Sequence, residues 1–223
     1  MAHTLPYGSW PSPFTAADVA AGSHPVDVGR FVGDEIWWSE RIPAEGSRTA
    51  VRRVGRDGQP ETLLPAPWNI GTRVHEYGGL AWTTDAEGTL YFAEKSDQRM
   101  WAFGRDGETR ALTPADAGMR FAEPTVVDLP SVGPAILALR ETHTGSPVPT
   151  RDIVAVPLDG RAAADPSAIV TLAGGTDFIA YPRLSADATH LAWVSWNHPD
   201  MPWDASQLHV SDLRAGGESR VVA

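Results

Sequence analysis

The sequence contains no cysteine and has few basic residues. Without cysteine, disulfides, thiolate catalysis and cysteine-ligated zinc sites are excluded. Lys and Arg together number 18 against 28 Asp and Glu, which gives a formal net charge of -10. Because nucleic acids and anionic membranes attract basic surfaces, we expect neither as a partner.

Long apolar segments are also missing. No apolar run approaches the roughly 20 residues that a membrane-spanning helix needs, and residues 1–10 lack the basic-then-apolar pattern of a signal peptide. The cytoplasm is therefore the expected location.

Turn-forming residues and tryptophan are abundant, with 21 Gly, 19 Pro and 9 Trp. One short helix is indicated near the start, where Thr15 and Asp18 have the spacing of a capping box and Gly22 provides a stop. We assign residues 1–24 to an extended segment that ends in this helix. The remainder of the chain predicts short strands and turns.

A unit of a strand, an Asp-Gly turn and a short strand ending in Leu recurs along the chain. The turns lie at 57–58, 106–107 and 159–160, which places them 49 and then 53 residues apart. Asp-Gly suits a tight hairpin because both residues tolerate positive φ. Another strand pair precedes each turn, and a degraded fourth copy follows. Four strands per unit at this period are typical of β-propeller blades, whereas a β-sandwich would show no internal copy.

The predicted fold is therefore all-β, with about four four-stranded antiparallel sheets that form an incomplete propeller over residues 25–223. The blades are expected at about 25–66, 75–114, 121–173 and 178–223.

Closure of such a propeller is the open question, because no final strand returns to the first blade. Either four blades close alone, or two chains associate through their open blade faces, or the native protein continues past residue 223. We favour the last.

Several segments resemble the propeller of bacterial dipeptidyl aminopeptidase and acylaminoacyl peptidase-type enzymes of the prolyl oligopeptidase family. The most specific are Arg-Val-His-Glu-Tyr-Gly-Gly at 73–79 and Trp-Asn-His-Pro at 196–199, in this order. Residues 184–193 are similar to the blade motif of such propellers and of TolB-like repeats. Further similar segments are Tyr-Gly-Ser-Trp-Pro-Ser-Pro at 7–13 and Asp-Gln-Arg at 97–99.

The resemblance implies a propeller that gates and orients peptide substrates for a separate α/β-hydrolase domain with a Ser-Asp-His triad. This chain departs from the family pattern because it has no Gly-x-Ser-x-Gly nucleophile motif. We therefore expect no catalytic residue and no activity from the chain alone. The alternative is a free-standing, TolB-like propeller that serves as a binding scaffold.

Two segments supply the candidate substrate-binding residues. The first contains Arg73, His75, Glu76 and Tyr77, which either hydrogen-bond between blades or face the central channel. The second is the aromatic, proline-bounded loop after residue 195, which either packs between blades or forms a wall that contacts peptides. Its candidate residues are Trp196, Asn197, His198 and Trp203.

Neither a metal nor a cofactor is expected. His75-Glu76 could begin a His-Glu-x-x-His motif, but the position of the second histidine is Gly79. The pairs Glu94-Lys95 and Arg140-Glu141 are expected to be solvated charge pairs at blade ends. A role for Glu94 or Glu141 in lining the channel and binding a peptide amino terminus is the alternative.

Overall fold

The computed structural model describes residues 4–22, 24–115, 118–215, 217 and 219–223. Within these residues the chain forms one α-helix and sixteen strands. The helix α1 is Ala16–Ala21. The strands are β1 Val26–Val32, β2 Glu35–Ile42, β3 Arg48–Val54, β4 Pro60–Thr62, β5 Trp82–Thr84, β6 Leu90–Ala93, β7 Met100–Phe103, β8 Thr109–Ala111, β9 Met119–Leu129, β10 Gly133–Thr142, β11 Thr150–Pro157, β12 Val170–Gly174, β13 Phe178–Leu184, β14 His190–Trp196, β15 Gln207–Asp212 and β16 Ser219–Val221.

The strands pair in four antiparallel sheets of four, each formed by consecutive strands. We name them blades 1 to 4, from β1–β4 to β13–β16. The first strands of blades 2, 3 and 4 contact one another, β5 against β9 and β9 against β13. These first strands are therefore the innermost strands around a common axis, and the predicted incomplete propeller of about four blades is confirmed.

The capping box and the Asp-Gly turns predicted from the sequence are both formed. The side chain of Thr15 accepts a hydrogen bond from the N–H of Asp18, whose carboxylate accepts the N–H of Thr15, so the capping box is formed. The glycines of the Asp-Gly turns, Gly58, Gly107 and Gly160, all have positive φ, between 71° and 84°. Glycine adopts this conformation without a steric penalty, which lets the outer strands of blades 1, 2 and 3 reverse direction.

Three of the four innermost strands carry a β-bulge with a non-glycine residue at positive φ. These residues are Val28 in β1, Glu123 in β9 and Tyr181 in β13. A bulge changes the direction in which its side chain points and increases the local twist. Here the bulges redirect side chains at the axial side of the blades.

The main core lies between blades 1, 2 and 3. Its largest side chains with almost no exposure include Trp37, Trp82, Phe92 and Phe121. A second cluster, with Leu139, packs blade 3 against blade 4. The hydrophobic core is therefore formed by apolar faces of neighbouring blades that pack against each other.

The outward face of blade 1 stays uncovered. Phe31 is 85% exposed and lies opposite Ile36, which is also exposed. Blade 4 exposes Leu208 and Val221. Association of chains through such faces stays a prediction. None of the helices formed by the described residues has the length and apolar character required to cross a membrane.

Candidate functional site

The loop at residues 72–79 enters blade 2 through a tight, left-handed stretch of backbone. His75 and Glu76 have φ values of 56° and 65°, and Gly78 has 87°. A Cβ at Gly78 would lie 2.9 Å from the carbonyl oxygen of Thr72, so glycine is required there. Hydrogen bonds from the N–H of Glu76 to Arg73 and from Gly78 to Val74 fix the loop.

A buried carboxylate, Glu141 in β10, anchors this loop to blade 3. It is 1% exposed and accepts the N–H of His75 at 3.0 Å. It also lies 2.7 Å from Arg151, 3.2 Å from Arg120 and 2.8 Å from His143. Burial by itself would raise the pKa of Glu141, but the hydrogen bonds with His75, His143 and Arg151 and the Arg151 charge outweigh burial and lower it.

The expectation of solvated charge pairs was therefore wrong for Glu141 and also for Glu94. Glu94 is 6% exposed, and its carboxylate accepts the N–H of Asn69 at 3.2 Å. Both carboxylates have their oxygens occupied by partners inside the protein. This explains why neither is free to bind the amino terminus of a peptide.

The remaining loop candidates make contacts between blades 2 and 3. Arg73 contributes its backbone: its N–H donates to Gln98 at 2.8 Å, and its carbonyl accepts from Arg120 at 2.8 Å. The carboxylate of Glu76 is exposed and lies 2.6 Å from Arg120. These two residues act in inter-blade hydrogen bonding, the first of the two roles considered for them.

Glu76, Glu141 and His143 together could offer three ligand atoms within 4.8 Å of one another. However, Arg120 contacts both carboxylates and Arg151 contacts one of them. Two cations already compensate this group, so it does not support a metal site.

The ring of His75 joins an aromatic cluster formed with blade 4. Its ring centroid lies 5.5 Å from Phe178 and 6.0 Å from Trp196, both edge-on, while Phe178 and Trp196 stack at 5.2 Å. The guanidinium of Arg151 lies 4.6 Å above Phe178. Burial, with a smaller effect of the Arg151 charge, lowers the pKa of His75 to about 4, so the ring is neutral at pH 7.

The loop that follows β14 is tied to blade 4 through Asp177. Asn197 Oδ1 accepts the N–H of Asp177 at 2.8 Å, and the N–H of His198 donates to Asp177 at 2.9 Å. Trp203 is 75% exposed. Asn197 and His198 therefore position the loop, and Trp203 projects from it.

A cavity of about 520 Å³ lies where this loop, the 72–79 loop and the innermost strands of blades 3 and 4 meet. Of the eight predicted binding residues, His75, Tyr77 and Trp196 line it, and the other five do not. The bulged residues Glu123 and Tyr181 also line it, as does Arg183.

Sequence reasoning missed these last three residues. Glu123 and Tyr181 occupy equivalent bulges, and each precedes a proline, so the repeated residue–proline pair at 123–124 and 181–182 is the signal that could have found them. The carboxylate of Glu123 accepts the N–H of Tyr181 at 2.7 Å. Burial nevertheless raises the pKa of Glu123, against the opposing effects of this hydrogen bond and of Arg183.

Comparisons with protein-family models and with curated proteins gave no match. Solved structures do match. A puromycin-hydrolyzing peptidase of Mycobacterium tuberculosis superposes with a TM-score of 0.87 at 40% identity over 99% of this chain. A puromycin hydrolase superposes with a TM-score of 0.86 at 39% identity over the same share. The chain spans 35% of the length of each.

More distant structures share the fold alone. A prolyl endopeptidase gives a TM-score of 0.57 at 14% identity, and TolB from Acinetobacter baumannii gives 0.54 at 13%. The puromycin-hydrolyzing peptidases are members of the prolyl oligopeptidase family. By its identity to them and by its four blades, this chain matches the N-terminal propeller region of prolyl oligopeptidase-family serine peptidases.

Proposed function

We propose that this propeller segment admits and orients peptide-like substrates for the hydrolase part of a prolyl oligopeptidase-family peptidase. The observation that carries the proposal is the cavity at the axial side of blades 3 and 4. It occurs in a chain that is 40% identical to the propeller region of a peptidase. A cytoplasmic location stays a prediction from the sequence.

The walls of the cavity suit an aminoacyl or peptidyl group. Trp196, Tyr181 and the neutral ring of His75 offer aromatic surface, which binds apolar side chains. Glu123 is the carboxylate in the wall and can receive a cationic amino group. This assigns to Glu123 the role that was considered for Glu94 or Glu141.

The rigidity of the wall also favours this function. Glu141 in blade 3 accepts a hydrogen bond from the backbone of His75. Asp177 forms hydrogen bonds with Asn197 and His198 that fix the 196–204 loop to blade 4. Side chains whose positions are fixed before binding lose little entropy on binding. The alternative of a free-standing, TolB-like binding scaffold is supported only by the fold that this chain shares with TolB.

Puromycin is the probe for this proposal, because the relatives at 40% and 39% identity act on it. Binding to the 223-residue chain is followed by tryptophan fluorescence. We expect Tyr181→Ser to weaken binding by about threefold to tenfold, the value of one aromatic contact. Tyr7→Ser is the matched control, since Tyr7 is an exposed tyrosine of the N-terminal segment. Absence of puromycin binding, or equal losses in both variants, would contradict the proposal.

A further inference from the structure

A second cavity lies along the innermost strands of blades 3 and 4. Its volume is about 380 Å³, and it is lined by residues 125–128 of β9, by residues 182–184 of β13 and by Ala186 in the turn after β13. The cavity described above, which we call the aromatic cavity, is lined from the same two strands at Glu123 and at residues 180–181. The two cavities therefore follow one another along β9 and β13, and the bulges of these strands lie at the boundary.

One residue, Arg183, lines both cavities. Its guanidinium donates to the carbonyl of Pro182 at 2.8 Å, its one hydrogen bond among the described residues. Its charge acts on the carboxylate of Glu123, so the positive charge already has a counter-charge. The remaining N–H donors therefore suit a neutral acceptor, such as a peptide carbonyl. Arg183 stands where the backbone of a ligand that enters both cavities would pass.

The wall of the second cavity is mainly aliphatic. Val127 and Leu184 line it, are half-buried and pack against the buried cluster that contains Leu129. No aromatic residue belongs to this wall, and its charged residues are Arg183 and Asp128. A concave, mostly apolar surface that water still reaches favours an apolar ligand group. The second cavity thus differs in chemistry from the aromatic cavity beside it.

The spacing of the two cavities suits an extended peptide. Tyr181 lines the aromatic cavity and Leu184 the second one, and the three residues between their positions span at most about 10 Å of strand. In an extended chain, alternate side chains point to the same side and lie about 7 Å apart. The side chains themselves extend over the remaining distance. The first and third side chains of one peptide can therefore enter the two cavities together.

We propose that the second cavity is a subsite for an aliphatic side chain, and that its ligand is a peptide whose residue two positions earlier occupies the aromatic cavity. Arg183 donates to a backbone carbonyl between these two side chains. The inference deepens the proposed function and rests on it for the peptide.

The test compares the carboxy-terminal amides of Phe-Gly-Val and Phe-Gly-Gly on the full 223-residue chain, by isothermal titration calorimetry. The valine peptide should bind about tenfold more tightly, as expected when its three side-chain carbons are partly buried. Ala186→Leu fills part of the second cavity and should reduce this ratio to about one.

Ala86→Leu is the matched control, because Ala86 is an exposed alanine in the equivalent turn of blade 2, between β5 and β6. It lines neither cavity, and its replacement should leave the ratio unchanged.

NMR of the valine and leucine methyl groups gives a second measurement. The valine peptide should shift the methyl signals of Val127 and Leu184, whereas the glycine peptide should leave them in place. This measurement needs no cavity-filling variant, so it tests the subsite even if Ala186→Leu does not fold.

Each outcome supports or overturns the subsite. Equal binding of the two peptides overturns it and leaves the proposed function intact. A preference for valine that persists in Ala186→Leu, or that occurs without shifts at Val127 and Leu184, overturns the second cavity as its location. If the amide of Phe-Gly-Lys binds as tightly as the valine peptide, Asp128 selects the ligand and the aliphatic specificity is overturned. If neither the valine nor the glycine peptide binds, the subsite is overturned, and puromycin binding then decides whether the proposed function fails with it.

Discussion

The backbone N–H of His75 donates a 3.0 Å hydrogen bond to the buried carboxylate of Glu141, 66 residues later in the chain. This bond joins the loop that enters blade 2 to the second strand of blade 3. The same carboxylate holds Arg151, which in turn lies over Phe178 at the edge of the cavity. A single acidic group therefore connects three blades.

Replacing Glu141 with Gln should destabilise the chain strongly. The change leaves Arg151 buried without its counter-charge, and breaking a buried pair in this way costs about 3–5 kcal/mol. Urea unfolding followed by far-UV circular dichroism measures the loss. Glu61→Gln is the control, since Glu61 forms an exposed pair with Arg53, and it should change stability by about 0.5 kcal/mol or less. Similar losses in both variants would contradict the role of Glu141.

His75 should remain neutral well below the usual range of histidine. In the folded chain its ring should titrate with a pKa of about 4, and in denaturant near 6.5. Because the folded-state pKa is the lower one, protonation favours unfolding, and stability is lost as the pH falls from about 6.5 towards 4. NMR of the ring protons, with His75→Gln to assign the signal, measures both values. A folded-state value near 6.5 would show that the ring is not buried as described.

Glu123 should destabilise the folded chain at neutral pH, unlike His75, whose protonation destabilises it only as the pH falls. Burial raises its pKa in the folded state, so its ionisation disfavours the folded chain above that pKa. Glu123→Gln should therefore unfold at a higher denaturant concentration than the parent at pH 7. The difference should shrink as the pH falls through the raised pKa of Glu123 and should be lost below about 4.3, where the carboxyl is protonated in both states. A difference that does not depend on pH would contradict this explanation.

Gly78→Ala should cost more than Gly107→Ala, although both glycines have nearly the same φ, 87° and 84°. A Cβ at Gly78 meets the carbonyl of Thr72 at 2.9 Å, whereas one at Gly107 meets no atom within 4 Å. Both variants carry the cost of a left-handed alanine, about 1 kcal/mol. Only Gly78→Ala adds a clash that must move the 72–79 loop. Differential scanning calorimetry should show the larger fall in Tm for Gly78→Ala, and equal falls would contradict the close approach.

Local features of this fold could be predicted because they depend on neighbouring residues. The capping box at Thr15 requires only Asp18, three residues later. Each Asp-Gly turn requires only its own glycine at positive φ. Repetition of these turns, together with the degraded fourth copy, was sufficient to count the blades, since one blade is formed by consecutive strands.

The candidate site was predicted in part. His75, Tyr77 and Trp196 belong to the two segments with unusual composition, and they do meet at the cavity. Glu123 and Arg183 belong to ordinary strands, and both lie at a bulge and line the cavity. Composition alone does not indicate which strand residues face the axis once a bulge has shifted the alternation.

The sequence by itself determined the repeating four-stranded unit, the turns within it, the short helix and the resemblance to one peptidase family, because each is encoded in residues close together in the chain. Only the tertiary structure decided the burial of Glu141, the neutral state of His75 and the meeting of Glu123 with Tyr181 at the cavity. Those properties depend on which groups from separate blades come within a few ångströms. Such distances are set by the packing of the blades around the axis.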